Sequence, residues 1–134
     1  MIIELMMNKF CVMLGVLALG CVGGLGDVDV SKLPPASAQK GVTFAKDIKP
    51  IFEKSCFKCH GEEKQKGDLR LDTIEAVKKG SEHGPVIVAG NSAKSGLVHS
   101  VAGLIEDGLM PPKGDPLTKE QIGLIRAWID QGAK

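Results

Sequence analysis

Apolar positions in this chain follow two regimes. Near the start they are contiguous: Phe10 to Leu19 is an unbroken apolar run apart from Gly15, with Lys9 before it and small residues after it. Further along they are spaced. Phe44, Ile48, Ile51, Phe52 and Ser55 recur at helical intervals and lead into Cys56. Pro50 interrupts that helix unless it begins near Asp47, which puts the proline in the first turn, where no amide donor is needed. Gly67 to Asp72 reads as extended chain or loop, and Asp72-Thr73 can cap a short helix ending near Gly80. Residues 81–91 form a loop around the apolar run Val86 to Val88. Ser92 or Ser95 opens a helix through about Leu104, with Leu97, Val98, Val101 and Leu104 as its stripe. The last helix is the best marked. Thr118 caps it, Gln121 completes a capping box, and Leu117 and Ile122 occupy the staple positions. Ile122, Ile125, Trp128 and Ile129 make its buried face, and Gly132 ends it. The pattern predicts a small all-α domain of three to four short helices joined by long loops.

The contiguous run has the form of an export signal, with one positive charge, an apolar stretch too short to span a bilayer, and small residues beyond. The expected organisation is an export signal over 1–20, a flexible tether over 21–41 and one folded domain over 42–134. Translation can also start at Met7. Ala18-Leu19-Gly20 before Cys21 fits either a peptidase site or a lipoprotein signal that would anchor the chain at Cys21, and Ala36-Ser37-Ala38 also fits small-x-small. The mature protein is then expected in the periplasm, free or held by a lipid, with no transmembrane span.

Charge excludes little beyond one class. Seventeen basic residues face sixteen acidic ones, and no long basic tract argues for nucleic acid. Lys54, Lys58, Lys64 and Lys66 surround the motif described next, as a solvated face or as a patch that steers an acidic redox partner. Aromatic content changes the picture more. There is no Tyr, Trp128 is the single Trp, and only Phe44, Phe52 and Phe57 lie outside the leader. So small a domain with so few large side chains has trouble filling a core.

Cys56-Phe57-Lys58-Cys59-His60 supplies a reason. Thiols at this spacing sit about one helical turn apart and can reach the same edge of one flat ligand, while the adjoining imidazole turns onto a metal at its centre. The motif reads as covalent attachment of one haem, with thioethers at Cys56 and Cys59 and His60 as proximal ligand of the iron. The other two of the four cysteines, Cys11 and Cys21, lie in the leader, so no disulfide framework competes. A zinc site would want a second ligand pair, and His83 and His99 lack that pairing. A redox dithiol would want a strand-first context, and the flanks here are helical.

Iron needs a sixth ligand. Met110 is the one methionine outside the leader, in the loop Asp107-Gly108-Leu109-Met110-Pro111-Pro112, where two prolines stiffen the backbone behind the thioether. Met110 is therefore the expected distal ligand, and His/Met ligation raises the potential. His99, on a helix face, is the competitor, and His83 reads as a loop residue.

From about Val42 to Ala133 the chain resembles the planctomycete-type cytochrome c domain, a small relative of class I c-type cytochromes. The likeness rests on Asp47-Ile48-Lys49-Pro50-Ile51, Cys56 to Gly61, Lys66-Gly67-Asp68-Leu69-Arg70-Leu71-Asp72, Met110-Pro111-Pro112 and Trp128 to Ala133, in that order. Glu62 departs from the proline often found there. The resemblance implies one covalent haem c held by Cys56 and Cys59, with His60 and Met110 on the iron. It implies an electron carrier, not an enzyme, that exchanges single electrons with other redox proteins. Two alternatives stand beside it: a haem enzyme or gas sensor with an open or His-ligated distal side, and a zinc or disulfide module without haem.

Overall fold

A computed structural model describes residues 27–134. The expected export signal, the alternative start at Met7 and the candidate anchor at Cys21 lie outside the described residues. Four α-helices follow in order, α1 (Lys49–Ser55), α2 (Ile74–Lys79), α3 (Gly96–Val101) and α4 (Lys119–Asp130). Among the described residues no strand forms, and pairing is limited to isolated bridges between His60 and Gln65 and between Ser81 and Gly84. The fold is the small all-α architecture that the spacing predicts.

Pro50 explains how α1 begins. Phe44–Ile48 winds as a wide π-turn, closed by the Lys49 amide on the Phe44 carbonyl, and α1 starts behind it with Pro50 in its first turn. The missing proline amide therefore costs no helical hydrogen bond. α2 is capped by the Thr73 hydroxyl, which accepts from the Ala76 amide at 3.1 Å. α3 is shorter than the predicted helix. Ser92–Lys94 forms a separate 3-10 turn, the helix proper begins at Gly96, and it stops at Val101 instead of continuing to Leu104. The Ser92 side chain is engaged elsewhere, its hydroxyl donating to Asp130 at 3.1 Å, so it cannot open the helix.

α4 has the cap that its sequence announces. The Thr118 hydroxyl accepts from the Gln121 amide at 3.1 Å and the Gln121 side chain accepts from the Thr118 amide at 2.9 Å. Leu117 and Ile122 are both buried beneath it. Trp128 is fully buried at the centre, its ring 5.7 Å from that of Phe44, which lies 6.1 Å from Phe52. Its indole nitrogen donates to the Lys134 carbonyl at 2.9 Å, so no buried donor is left unpaired. Three of the few aromatic rings are thus spent joining the π-turn, α1 and α4.

The stretch expected as a tether is, over residues 33–39, laid against α4. Leu33 packs on the core, the Ser37 amide donates to the Gly123 carbonyl at 2.8 Å, and Gln131 donates to the Gln39 carbonyl at 2.8 Å. Arg126 reaches the Pro34 carbonyl with one nitrogen and the Ser92 hydroxyl with another at 3.0 Å. Gly123 makes this approach possible, because a Cβ there would lie 2.7 Å from the Pro35 carbonyl oxygen. Proline and small residues make this strap unable to form a helix, but its carbonyls and amides remain free to bond to α4.

Candidate haem-binding site

The C-terminal end of α1 continues as a turn through the cysteine motif. The Cys56 amide donates to the Phe52 carbonyl at 2.7 Å, and both Cys59 and His60 donate to the Cys56 carbonyl, at 3.1 and 2.9 Å. The turn gathers three side chains on one side: Cys56, Cys59 and His60 all line one cavity of about 300 Å³. Gly61 closes the turn so tightly that a Cβ there would stand 2.5 Å from the Phe57 carbonyl oxygen. Both thiols are free. Burial, and secondarily the neighbouring Cys59, push the Cys56 thiol up to about 11. At neutral pH it is held as the thiol, a poor nucleophile in the closed fold.

His60 is oriented by backbone. Its Nδ1 lies 3.3 Å from the Leu69 carbonyl. A carbonyl can only accept, so the proton of a neutral ring belongs on Nδ1 and the Nε2 lone pair is left for a metal. Leu69 and Leu71 both line the cavity, as their spacing in an extended segment requires of residues on one face. Leu71 also donates its amide to the His60 carbonyl at 2.9 Å. Leu69 was not among the expected site residues. The alternation of Leu69 and Leu71 is the sequence signal that would have marked it.

The wall away from the cysteine turn comes from α3 and the loop after it. Leu97 and Val101 present an apolar face, and Met110, Pro111 and Pro112 complete the enclosure. Met110 is 37% exposed, and its amide donates to the Ser100 carbonyl at 3.1 Å, which pins the loop to α3. The Met110-Pro111 bond is cis. His99 sits on the other side of α3 and does not line the cavity; its Nε2 lies 2.7 Å from the Ala93 carbonyl. His83 is exposed, 3.4 Å from Glu82. Among the described residues no three His, Cys, Asp or Glu side chains are grouped as a metal-ion site. Cys56, Cys59, His60 and Met110 thus border one apolar enclosure.

Comparison with known proteins bears on the same stretch. Residues 56–114 match the family model described as Planctomycete cytochrome C. Over this stretch the chain is similar to that family. The match runs from Cys56, the first cysteine of the motif, past Met110 and includes residues from both sides of the cavity. No curated protein and no solved structure matches the chain. The family points to a haem-binding electron-transfer protein with covalently bound haem c. A large apolar cavity bordered by two free thiols and an imidazole is what such a group needs: walls for the macrocycle, sulfurs for its edge and a nitrogen for its iron. No helix among the described residues is long and apolar enough to cross a membrane.

Proposed function

We propose that this is an exported monohaem c-type cytochrome that transfers single electrons between other redox proteins. One observation carries the reading: a single apolar cavity is bordered by Cys56, Cys59 and His60 and by Met110, fifty residues on from His60 in the chain. Cys56 and Cys59 would hold the haem by thioethers, and His60 and Met110 would ligate its iron. When bound, the haem supplies a one-electron ferric–ferrous couple.

The chain's own residues set how that couple works. The Leu69 carbonyl keeps the His60 proton on Nδ1 and so keeps Nε2 basic and aimed. Phe52, Leu71, Leu97 and Val101 exclude water, which disfavours the more highly charged iron. The Met110 thioether, soft and neutral, favours the ferrous state for the same reason. The apolar leader and the small residues around Cys21 support export, to the periplasm or to a lipid anchor at Cys21.

The deciding experiment compares the near-infrared absorption of the matured ferric protein with that of Met110→Ala. A sulfur-to-iron charge-transfer band in the wild type that vanishes in the variant is the expected result. A wild-type protein without the band sinks the Met110 assignment and turns attention to an open distal side.

A further inference from the structure

Exposed apolar bulk in this domain is concentrated in one loop. Five large apolar side chains are exposed among the described residues, and three of them, Ile105, Leu109 and Met110, fall within six consecutive positions. Single exposed hydrophobic residues are ordinary, whereas a cluster marks a contact surface. Ile105 and Leu109, 39% and 43% exposed, do not line the cavity, so a ligand bound there does not account for them. The loop is also held firmly. The Leu104 amide donates to the His99 carbonyl at 2.9 Å and the Met110 amide to the Ser100 carbonyl at 3.1 Å, which pins both ends to α3. Between them the Gly108 amide closes a turn on the Ile105 carbonyl at 3.0 Å. The apolar side chains lie back on this backbone: a Cβ at Gly108 would stand 2.7 Å from the Ile105 side chain, and one at Gly103 3.4 Å from that of Leu109. The result is a fixed apolar platform whose last member, Met110, also borders the cavity.

The platform's charge is negative. Glu106 and Asp107 are exposed between Ile105 and Leu109 in the chain, and neither makes an ion pair among the described residues. Over residues 104–115 three carboxylates stand against one lysine. The lysines around the attachment turn form no opposing field, because from Glu53 to Asp68 four lysines are matched by four carboxylates. A second copy of the chain docking through the same loop would set like charges against each other, which is costly. A partner with an apolar centre and a cationic rim meets both features of the loop.

We propose that residues 105–110 are the docking platform for a redox partner protein whose contact face is apolar and rimmed by lysine or arginine. This rests on the electron-transfer reading above and deepens it by naming the partner's chemistry and the side from which it approaches. A partner seated on Ile105 and Leu109 lies against the Met110 border of the cavity, and Glu106 and Asp107 steer it there.

The test oxidises the matured, haem-stained ferrous protein with two one-electron acceptors of opposite charge. Tris(phenanthroline)cobalt(III), a triply charged cation with flat apolar ligands, mimics the proposed partner face; hexacyanoferrate(III) is a triply charged anion. Each takes one electron from the ferrous iron, and the ratio of their rate constants is insensitive to small changes in the protein's own potential. At about 0.1 M ionic strength, Glu106→Gln/Asp107→Asn should lower the cation-to-anion ratio by at least about tenfold. Asn accepts the left-handed backbone at position 107 (φ 56°), so the turn survives this change. Ile105→Ser/Leu109→Ser should slow the cobalt reaction by about threefold and leave the anion's rate within about twofold. Glu62→Gln/Glu63→Gln removes the same charge beside the attachment turn and should keep the ratio within about twofold of wild type. The inference is overturned if the 106/107 variant keeps the wild-type ratio, if the 62/63 variant moves it as far, or if the serine variant reacts like wild type. A wild-type dimer in sedimentation that Leu109→Ser dissolves also overturns it, since a second copy then occupies the platform. These outcomes leave the haem reading standing, whereas wild-type protein without covalent haem stain overturns that reading and this one with it.

Discussion

His60 has two ring nitrogens, and one backbone carbonyl decides between them. Because Leu69 supplies that carbonyl, the fate of the imidazole depends on an extended segment that looks featureless beside the motif. The same segment holds a surface pair with a pH signature. Arg70 grips Asp72 with two nitrogens, and its hydrogen bonds hold the Asp72 carboxyl below its ordinary 3.8. A depressed carboxyl contributes stability above the unfolded value and loses it as pH falls through the folded one. The stability difference between wild type and Arg70→Gln should therefore be greatest above about pH 4 and shrink towards pH 2, as read from urea midpoints of the haem-linked protein. A difference that stays constant over that range counts against the pair. The chemistry-bearing residues were legible because each has a type and a spacing. Ser100 and the carbonyl of Leu69 were not, because a backbone carbonyl is common to every residue; only the Leu69 side chain, alternating with Leu71, leaves a signal.

Elements whose signals are local read well in this chain, and those with distant partners do not. α4 matches its sequence because cap, staple and stripe all lie within sixteen residues of each other, from Leu117 to Gly132. α3 begins behind Ser95, one of the two starts its sequence offers, because the other, Ser92, is claimed by Asp130 and Arg126 from another part of the chain. The strap over 33–39 had no signal at all, since hydrogen bonds to Gly123, Arg126 and Gln131 leave no periodicity behind. Its contact with α4 is nonetheless sterically exacting. Gly123→Val should destabilise the protein by roughly 1–3 kcal/mol, because the new side chain drives into the Pro35 carbonyl. Urea denaturation measures this, and a neutral substitution would mean that the strap is dispensable. The strap also discriminates between the candidate cleavage sites. A cut after Ala38 would strip Arg126 of its Pro34 partner, Gly123 of Ser37 and the core of Leu33. Under the proposed export, the mature protein is expected to begin upstream of Leu33, which N-terminal sequencing of the mature form can check. A mature N-terminus at Gln39 would show that the domain does without these contacts.

At the scale of the whole molecule, the packed core and the cavity divide the work unequally. Trp128, Phe44 and Phe52 consolidate the side where α4 meets the π-turn and α1, while α3 and the two long loops close around space. A void in a protein core costs about 24 cal/mol per Å³, so a cavity of about 300 Å³ left unfilled corresponds to at most about 7 kcal/mol, less because this one opens to solvent. Domains of this size have roughly 5–15 kcal/mol in total. Under the proposed function a haem would fill this space and supply bulk that the few aromatic side chains do not. Cys56→Ala/Cys59→Ala, which cannot form thioethers, should keep much of its far-ultraviolet helix signal but lose cooperative thermal unfolding and its near-ultraviolet signal. If the double variant, purified without haem, melts as sharply as the haem-linked protein and within a few degrees of it, the cavity wall stands by itself. The haem would then be cargo held by the fold, not a component of it.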